Sequence, residues 1–162
     1  MDSAAVLRSA EFSPCRTWRY ALWRRWDEDG CDYAMFVGLN PSTADETQDD
    51  PTIRRCIAFA KDWGYSALCM TNLFAYRATD PEVMKRAADP IGPENDRYLD
   101  QCAYGAGVVV AAWGVHGTFG GRHAAVRSRL PKLHHLRLTK EGHPGHPLYL
   151  PKSLTPQPWN RA

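Results

Sequence analysis

The sequence has no C-x-x-C pair, and its five cysteines (Cys15, Cys31, Cys56, Cys69 and Cys102) are odd in number. A complete disulfide framework is therefore excluded, and the thiols beside apolar runs read as free core residues of a chain kept in a reducing cytoplasm. No apolar run is long enough to cross a bilayer, and the first residues, with Asp2 and Arg8, carry no apolar segment of the kind that directs export. The expectation is a cytoplasmic chain with no membrane partner. Excess charge is also scarce: the net value is +2 and the pI is near 8.3. That permits contact with nucleic acid, but a strong non-specific binder carries a much larger basic excess. Internal repeats, low-complexity tracts and interdomain linkers are missing as well. The Gly-rich stretch Gly117-Thr-Phe-Gly-Gly-Arg-His123 has neither P-loop nor dinucleotide-fingerprint spacing, and there is no Gly-x-Ser-x-Gly elbow.

What is present suits one globular domain: 162 residues, 44% hydrophobic and 23% charged. Residues 1–15 read as a flexible N-terminal arm and residues 16–162 as a single α/β domain. Residues 16–26 partly alternate large apolar with basic side chains, which predicts a strand or hairpin arm turned at Asp29-Gly30. Tyr33 to Leu39 and Ser66 to Leu73 are short apolar runs closed by turn residues, the pattern of buried strands. Asp50-Pro51 supplies an N-cap and a first helical residue for a helix to about Trp63, stopped by Gly64. Helices are predicted from Pro81, from Pro93 and over 121–130, with strands at 107–113 and 133–138. The Pro- and Gly-rich tail from Gly142 reads as loop.

Strands alternating with helices predict a three-layer α/β/α sandwich. Its sheet has four parallel strands plus an N-terminal antiparallel strand, joined by right-handed crossovers. In such sheets ligands bind beyond the carboxyl ends of the strands. The segment Gly38-Leu39-Asn40-Pro41-Ser42, then Asn72, Trp113 and the tail histidines His143 and His146 all fall there, so four distant segments should converge on one rim.

Each of these residues can do chemistry. The Asn40 amide can orient a water without ionising, with Pro41 stiffening its turn; an Asn in such a turn also commonly caps its own backbone. Asn72 can read a planar amide edge, and Phe74 and Trp113 can stack on a base, although aromatics at strand ends usually belong to the core. Arg77 and Arg122 are candidates for phosphate contacts. His143 or His146 can stabilise developing negative charge. His134 and His135 should point to opposite sides of their strand. Asp45, Asp49 and Asp50 form an acidic cluster, read first as a solvated helix start. No metal or other cofactor is expected.

Four motifs carry a resemblance: Val-Gly-Leu-Asn-Pro-Ser-Thr-Ala-Asp, Asp-Pro-Thr-Ile-Arg-Arg, Thr-Asn-Leu-Phe-Ala-Tyr-Arg-Ala-Thr-Asp-Pro and His-Pro-Leu-Tyr. They resemble an uncharacterised bacterial and phage family with only a domain-of-unknown-function label, over about residues 16–159. More distantly, the order of motifs is similar to the uracil-DNA glycosylase superfamily, and in particular its mismatch-specific branch. That resemblance implies a glycosylase-like fold, Asn40 positioning the hydrolytic water, Asn72 reading the base and His146-Pro147 forming a loop against DNA. Leu148 stands where that loop ordinarily has Ser, and no aromatic follows Pro41. The expected function is hydrolysis of the N-glycosidic bond of a deaminated or modified base in DNA. The catalytic residues would be Asn40 and His146. Base contacts would come from Gly38, Leu39, Pro41, Ser42, Asn72, Phe74 and Trp113, and DNA contacts from Arg77, His143 and Pro147. The expected partner is damaged DNA and the expected state a monomer. The alternatives are an enzyme acting on a free nucleotide or nucleoside, and a non-catalytic nucleic-acid or nucleotide-binding module.

Overall fold

The structure is a computed structural model that describes residues 7–159. Its strands are β1 (Leu7–Phe12), β2 (Arg19–Arg25), β3 (Ala34–Gly38), β4 (Ala67–Asn72), β5 (Val108–Ala111), β6 (Leu133–His135) and β7 (Gln157–Pro158). Its helices are α1 (Pro51–Asp62), α2 (Pro81–Arg86), α3 (Asn95–Gly105) and α4 (Arg122–Arg129). Local chemistry sets their ends. The Asp50 carboxylate accepts the Ile53 N–H at 2.9 Å, and Pro51 opens α1 where no donor is needed. Asp80 and Pro81 open α2 in the same way.

All seven strands form one mixed sheet in the order β1-β2-β4-β3-β5-β6-β7. β3 pairs parallel with β4 and β5, and β5 with β6, whereas β1, β2 and β7 join antiparallel. The sheet is thus wider than the expected set of four strands plus one. Part of the expected N-terminal arm, Leu7–Phe12, is strand, because β2 offers it a full antiparallel ladder. The hairpin of β2 is made with this preceding segment, around Ser13–Trp18, and not through Asp29-Gly30, which leads on to β3. The tail is not all loop. Trp159 donates its N–H to Leu133 O and packs with its ring tilted, 5.7 Å from that of Trp113, which brings Gln157–Pro158 into register with β6.

Strand alternation sends side chains to two faces. Ala34, Phe36, Leu68, Met70 and Val110 pack with Ile53, Cys56 and Phe59 of α1. Met35, Val37, Cys69 and Val109 pack on the other face with Met84, Leu99, Cys102 and Val126 of α2, α3 and α4. Full burial of a side chain the size of Ile53 or Phe59 contributes about 1.5–3 kcal/mol. Among the described residues no helix is long and apolar enough to cross a membrane.

Two arginines of β2 are buried, and β2 carries an irregularity between them. Its register with β1 passes from Glu11↔Ala21 to Phe12↔Arg19, skipping Tyr20. Such a bulge re-aims the flanking side chain. Tyr20 stacks on Tyr98 of α3, at 4.9 Å, while Arg19 reaches to the α1 side and bonds Ala44 O at 3.0 Å.

Candidate functional site

The carboxyl ends of the parallel strands open into a cleft of about 650 Å³ on the α1 side of the sheet. Residues 38–42 form one wall, and Asn72, Trp113 and His146 enter from the ends of β4 and β5 and from the tail. Eight of the residues singled out in the sequence thus meet here: Gly38, Leu39, Asn40, Pro41, Ser42, Asn72, Trp113 and His146.

Asn40 is half-buried, and its amide nitrogen is committed. It donates to Ala78 O at 2.8 Å, Pro41 O at 3.2 Å and Tyr76 O at 3.4 Å. The side chain is thereby fixed to the 76–78 segment, and Ala78 N returns a bond to Pro41 O at 2.9 Å. Its carbonyl oxygen accepts no hydrogen bond among the described residues, so it is the end left to act on a water or ligand. Nearby, the Ser42 and Thr79 hydroxyls meet at 3.1 Å.

Asn72 is 2% exposed, and its Nδ2 is buried without a hydrogen-bond partner among the described residues. An unpaired buried amide costs free energy, so this nitrogen needs a partner, which a water or a ligand in the cleft can supply. The backbone around it is heavily held. Asn95, fully buried at the start of α3, donates to both Asn72 O and Leu73 O at 3.0 Å. Arg122 Nε donates to the same Leu73 O at 2.8 Å and its Nη2 pairs with Asp96 at 2.6 Å. Leu73 N in turn bonds Gly38 O at 2.9 Å. The Asn72 side chain therefore stands on a rigid base while its own amide nitrogen is unused.

His146 accepts the Leu148 N–H at Nδ1, at 3.2 Å. In the neutral ring the proton must then sit on Nε2, which makes that atom a donor. Burial pushes the imidazole below its ordinary pKa, opposed by the negative charge of Asp50. The turn that carries it, Pro147–Tyr149, is anchored from α1. Arg55 donates to Pro147 O at 3.1 Å, to Leu150 O at 3.0 Å and to Leu148 O at 3.5 Å.

Other expected site residues lie elsewhere. Phe74 is buried against Phe119 in the core on the α2–α4 side, because the strand ends at Asn72 and the chain turns before it. Arg77 lies over the Phe12 ring and bonds Arg16 O, at the β1–β2 turn. Arg122 is consumed in the clamp on Leu73. His143 engages Thr139 through its backbone, and neither it nor Pro147 lines the cleft. The acidic cluster is spent internally: Asp45 caps the turn to Thr47 and Gln48, Asp49 pairs with Arg24, and Asp50 caps α1. In the Gly-rich segment the Gly117 amide bonds Gly114 O, and Gly117 packs against Trp113, closer than any Cβ would allow.

Sequence reasoning missed Arg19, Asn95 and Arg55. Arg19 lines the cleft yet is 2% exposed, and its Nε is buried without a partner among the described residues. Burial pulls this guanidinium down to about 10, with the charge of Asp50 opposing the shift. No sequence signal singles it out, since β2 carries three arginines in seven residues.

The sequence over residues 19–148 matches a family model described as a protein of unknown function, DUF1643. No curated protein and no solved structure matches the chain.

Proposed function

The chain belongs to the DUF1643 family, whose description carries no activity, and from that premise we propose that it hydrolyses the N-glycosidic bond of a deaminated or modified base in DNA. The observation that carries the reading is the unpartnered Asn72 amide, held in one cleft with Asn40 and His146. An amide presents a donor beside an acceptor. A deaminated base presents the complement, a carbonyl beside a ring N–H, where the parent base has an amino group beside a bare nitrogen. Pairing with Asn72 satisfies the buried nitrogen, and it favours the keto base as long as the amide keeps its Oδ1 toward Gly38.

The base reaches Asn72 only when its nucleotide has left the stack. That costs a few kcal/mol and favours damaged or mismatched sites. Trp113 lines the same cleft and offers an apolar surface. Asn40, with its nitrogen anchored, presents its carbonyl oxygen to one hydrogen of a water whose lone pair adds to the anomeric carbon as the C1′–N bond breaks. The bonding pair leaves with the base, and the proton shed by the water returns to that base through solvent. The amide carries no charge to stabilise a cationic sugar, so the chemical step is slow. His146, neutral and protonated at Nε2, donates a hydrogen bond to negative charge developing on the departing base.

The test is a panel of oligonucleotides bearing uracil, hypoxanthine, xanthine or hydroxymethyluracil, scored for abasic sites under single-turnover conditions. Abasic sites at one or more of these bases are expected, with weaker binding and blunted discrimination between bases in Asn72→Ala. No cleavage of any member, at enzyme excess and in single or double strands, would remove the glycosylase reading.

A further inference from the structure

The two buried arginines of β2 differ in what they hold. Arg24 is fully covered and fully used: it pairs with Asp49 at 2.8 Å and donates to Ser9 O, Trp23 O and Gln48 O. Arg19 is equally hidden, yet no carboxylate lies within ion-pair distance among the described residues. Ala44 O is its one side-chain hydrogen-bond partner there, and Nε has none. Asp50 and Asp45 offset part of the cost of burying this cation from beyond ion-pair distance, but the guanidinium keeps an unpaired Nε, and an anion entering the cleft would complete it. The route is open, because Arg19 lines the cleft.

Its place is equally specific. Arg19 N bonds Ala75 O, which sets the residue beside the end of β4, and the bulge at Tyr20 puts its side chain on the α1 side, the face that carries the cleft. The Ser42 and Thr79 hydroxyls and Thr52, in the first turn of α1, line the same space and supply donors. Asp50 is the one carboxylate among the described residues lining it, and its Oδ1 is held by Ile53 N.

We propose that Arg19 is the anchor of a phosphate subsite, which binds the phosphate of the nucleotide whose base meets Asn72. The assignment rests on the nucleotide reading given above. A guanidinium fork fits phosphate oxygens, and such charge-assisted bonds are about twice as strong as neutral ones. The phosphate is that of a free nucleoside monophosphate or that of a DNA strand, and Arg19 serves either by the same contact.

Calorimetric titration of the whole protein with deoxyuridine, deoxyuridine 5′-monophosphate, inorganic phosphate and a uracil-containing single strand separates the possibilities. The monophosphate is expected to bind at least about tenfold tighter than the nucleoside. Arg19→Gln should erase that advantage while leaving nucleoside affinity unchanged. Competition by the single strand identifies a strand phosphate, and its failure to compete identifies a free nucleotide. Equal affinities of nucleoside and monophosphate overturn the subsite and leave the base reading standing. Inorganic phosphate binding that depends on Arg19, with no binding of nucleoside, keeps the subsite and removes the base reading. No binding of any phosphate-bearing probe overturns the subsite. If Arg19→Gln does not fold, the Nε–H resonance of Arg19 in the wild-type protein decides: it must shift on addition of the monophosphate, and an unmoved signal in a saturated complex overturns the assignment.

Discussion

Gly38 and Asn72 are partners across adjacent parallel strands, and a Cβ built on Gly38 would lie 2.8 Å from the Asn72 Oδ1 and 2.8 Å from the Met70 Cε. The glycine is what lets the asparagine side chain stand in the cleft. Gly38→Ala should push the Asn72 amide aside or force the two strand ends apart. Overpacking of this kind costs about 1–3 kcal/mol. Denaturant unfolding should register that loss, and titration with deoxyuridine should show weaker binding than in the wild type. A stable variant with unchanged affinity would mean that Asn72 does not contact the ligand.

The two asparagines should separate by kind of defect. Asn40→Ala should slow single-turnover cleavage while leaving substrate binding nearly intact, as expected for an interaction made mainly in the transition state. Asn72→Ala should weaken binding and blur discrimination among bases, because buried base-edge groups lose their partner. Equal losses of rate and affinity in both variants would show that they do not divide the work.

For His146 the sign of the pH effect follows from burial. Its pKa is lowered from 6.5, so the neutral ring with its Nε2 donor persists below the pH at which a free imidazole gains its proton. Protonation keeps the Nε2 donor but puts a proton on Nδ1, against the Leu148 N–H that it accepts, and so releases the turn. Activity should therefore hold at pH 6.5 and fall only on further acidification, and His146→Gln should remove that acid limb. Stability moves in the same direction. Below pH 6.5 the unfolded chain takes up a proton that the folded ring resists, so the native state loses stability until the folded pKa is passed. An acid limb centred above 6.5 would assign it to another group.

Arg24 and Asp49 make a separate, structural prediction. Asp49→Asn leaves a fully buried guanidinium without its carboxylate, a type of change that costs about 3–5 kcal/mol. The carbonyls around Arg24 place this loss toward the lower end. Adding Arg24→Met to Asp49→Asn should recover part of it, since the double variant no longer buries an unpaired charge. Chemical denaturation of both variants makes the comparison, and a double variant less stable than Asp49→Asn alone contradicts it.

Much of the cleft was legible because its signals are local. Asn40 and Pro41 terminate an apolar run, Asp50-Pro51 starts a helix, and parallel strands carry their end residues to a common edge whatever lies between them. Arg19 was not legible for a definite reason. Strict alternation along β2 assigns it to the face of Ala21, and only the extra residue Tyr20 turns it to the other side. Phe74 misled in the opposite way: counting by twos from Asn72 keeps it at the cleft, but β4 has already ended. Asn95 gave no pattern at all. A polar residue at a helix start reads as surface, and its burial depends on two carbonyls more than twenty residues earlier in the chain.

The Arg55 clamp has a mechanical meaning. By holding the carbonyls of Pro147, Leu148 and Leu150, it welds the His146 turn to α1, so those two sides of the cleft move as one fixed jaw. The chain after β5, which also lines the cleft, passes through Gly114, Gly120 and Gly121, all at positive φ, with a kink inside the short helical stretch between. Glycine at such angles carries little steric penalty for changing conformation. Val115 and His116, which line the cleft between these glycines, are therefore the part of its wall with the most backbone freedom to yield to a wider guest.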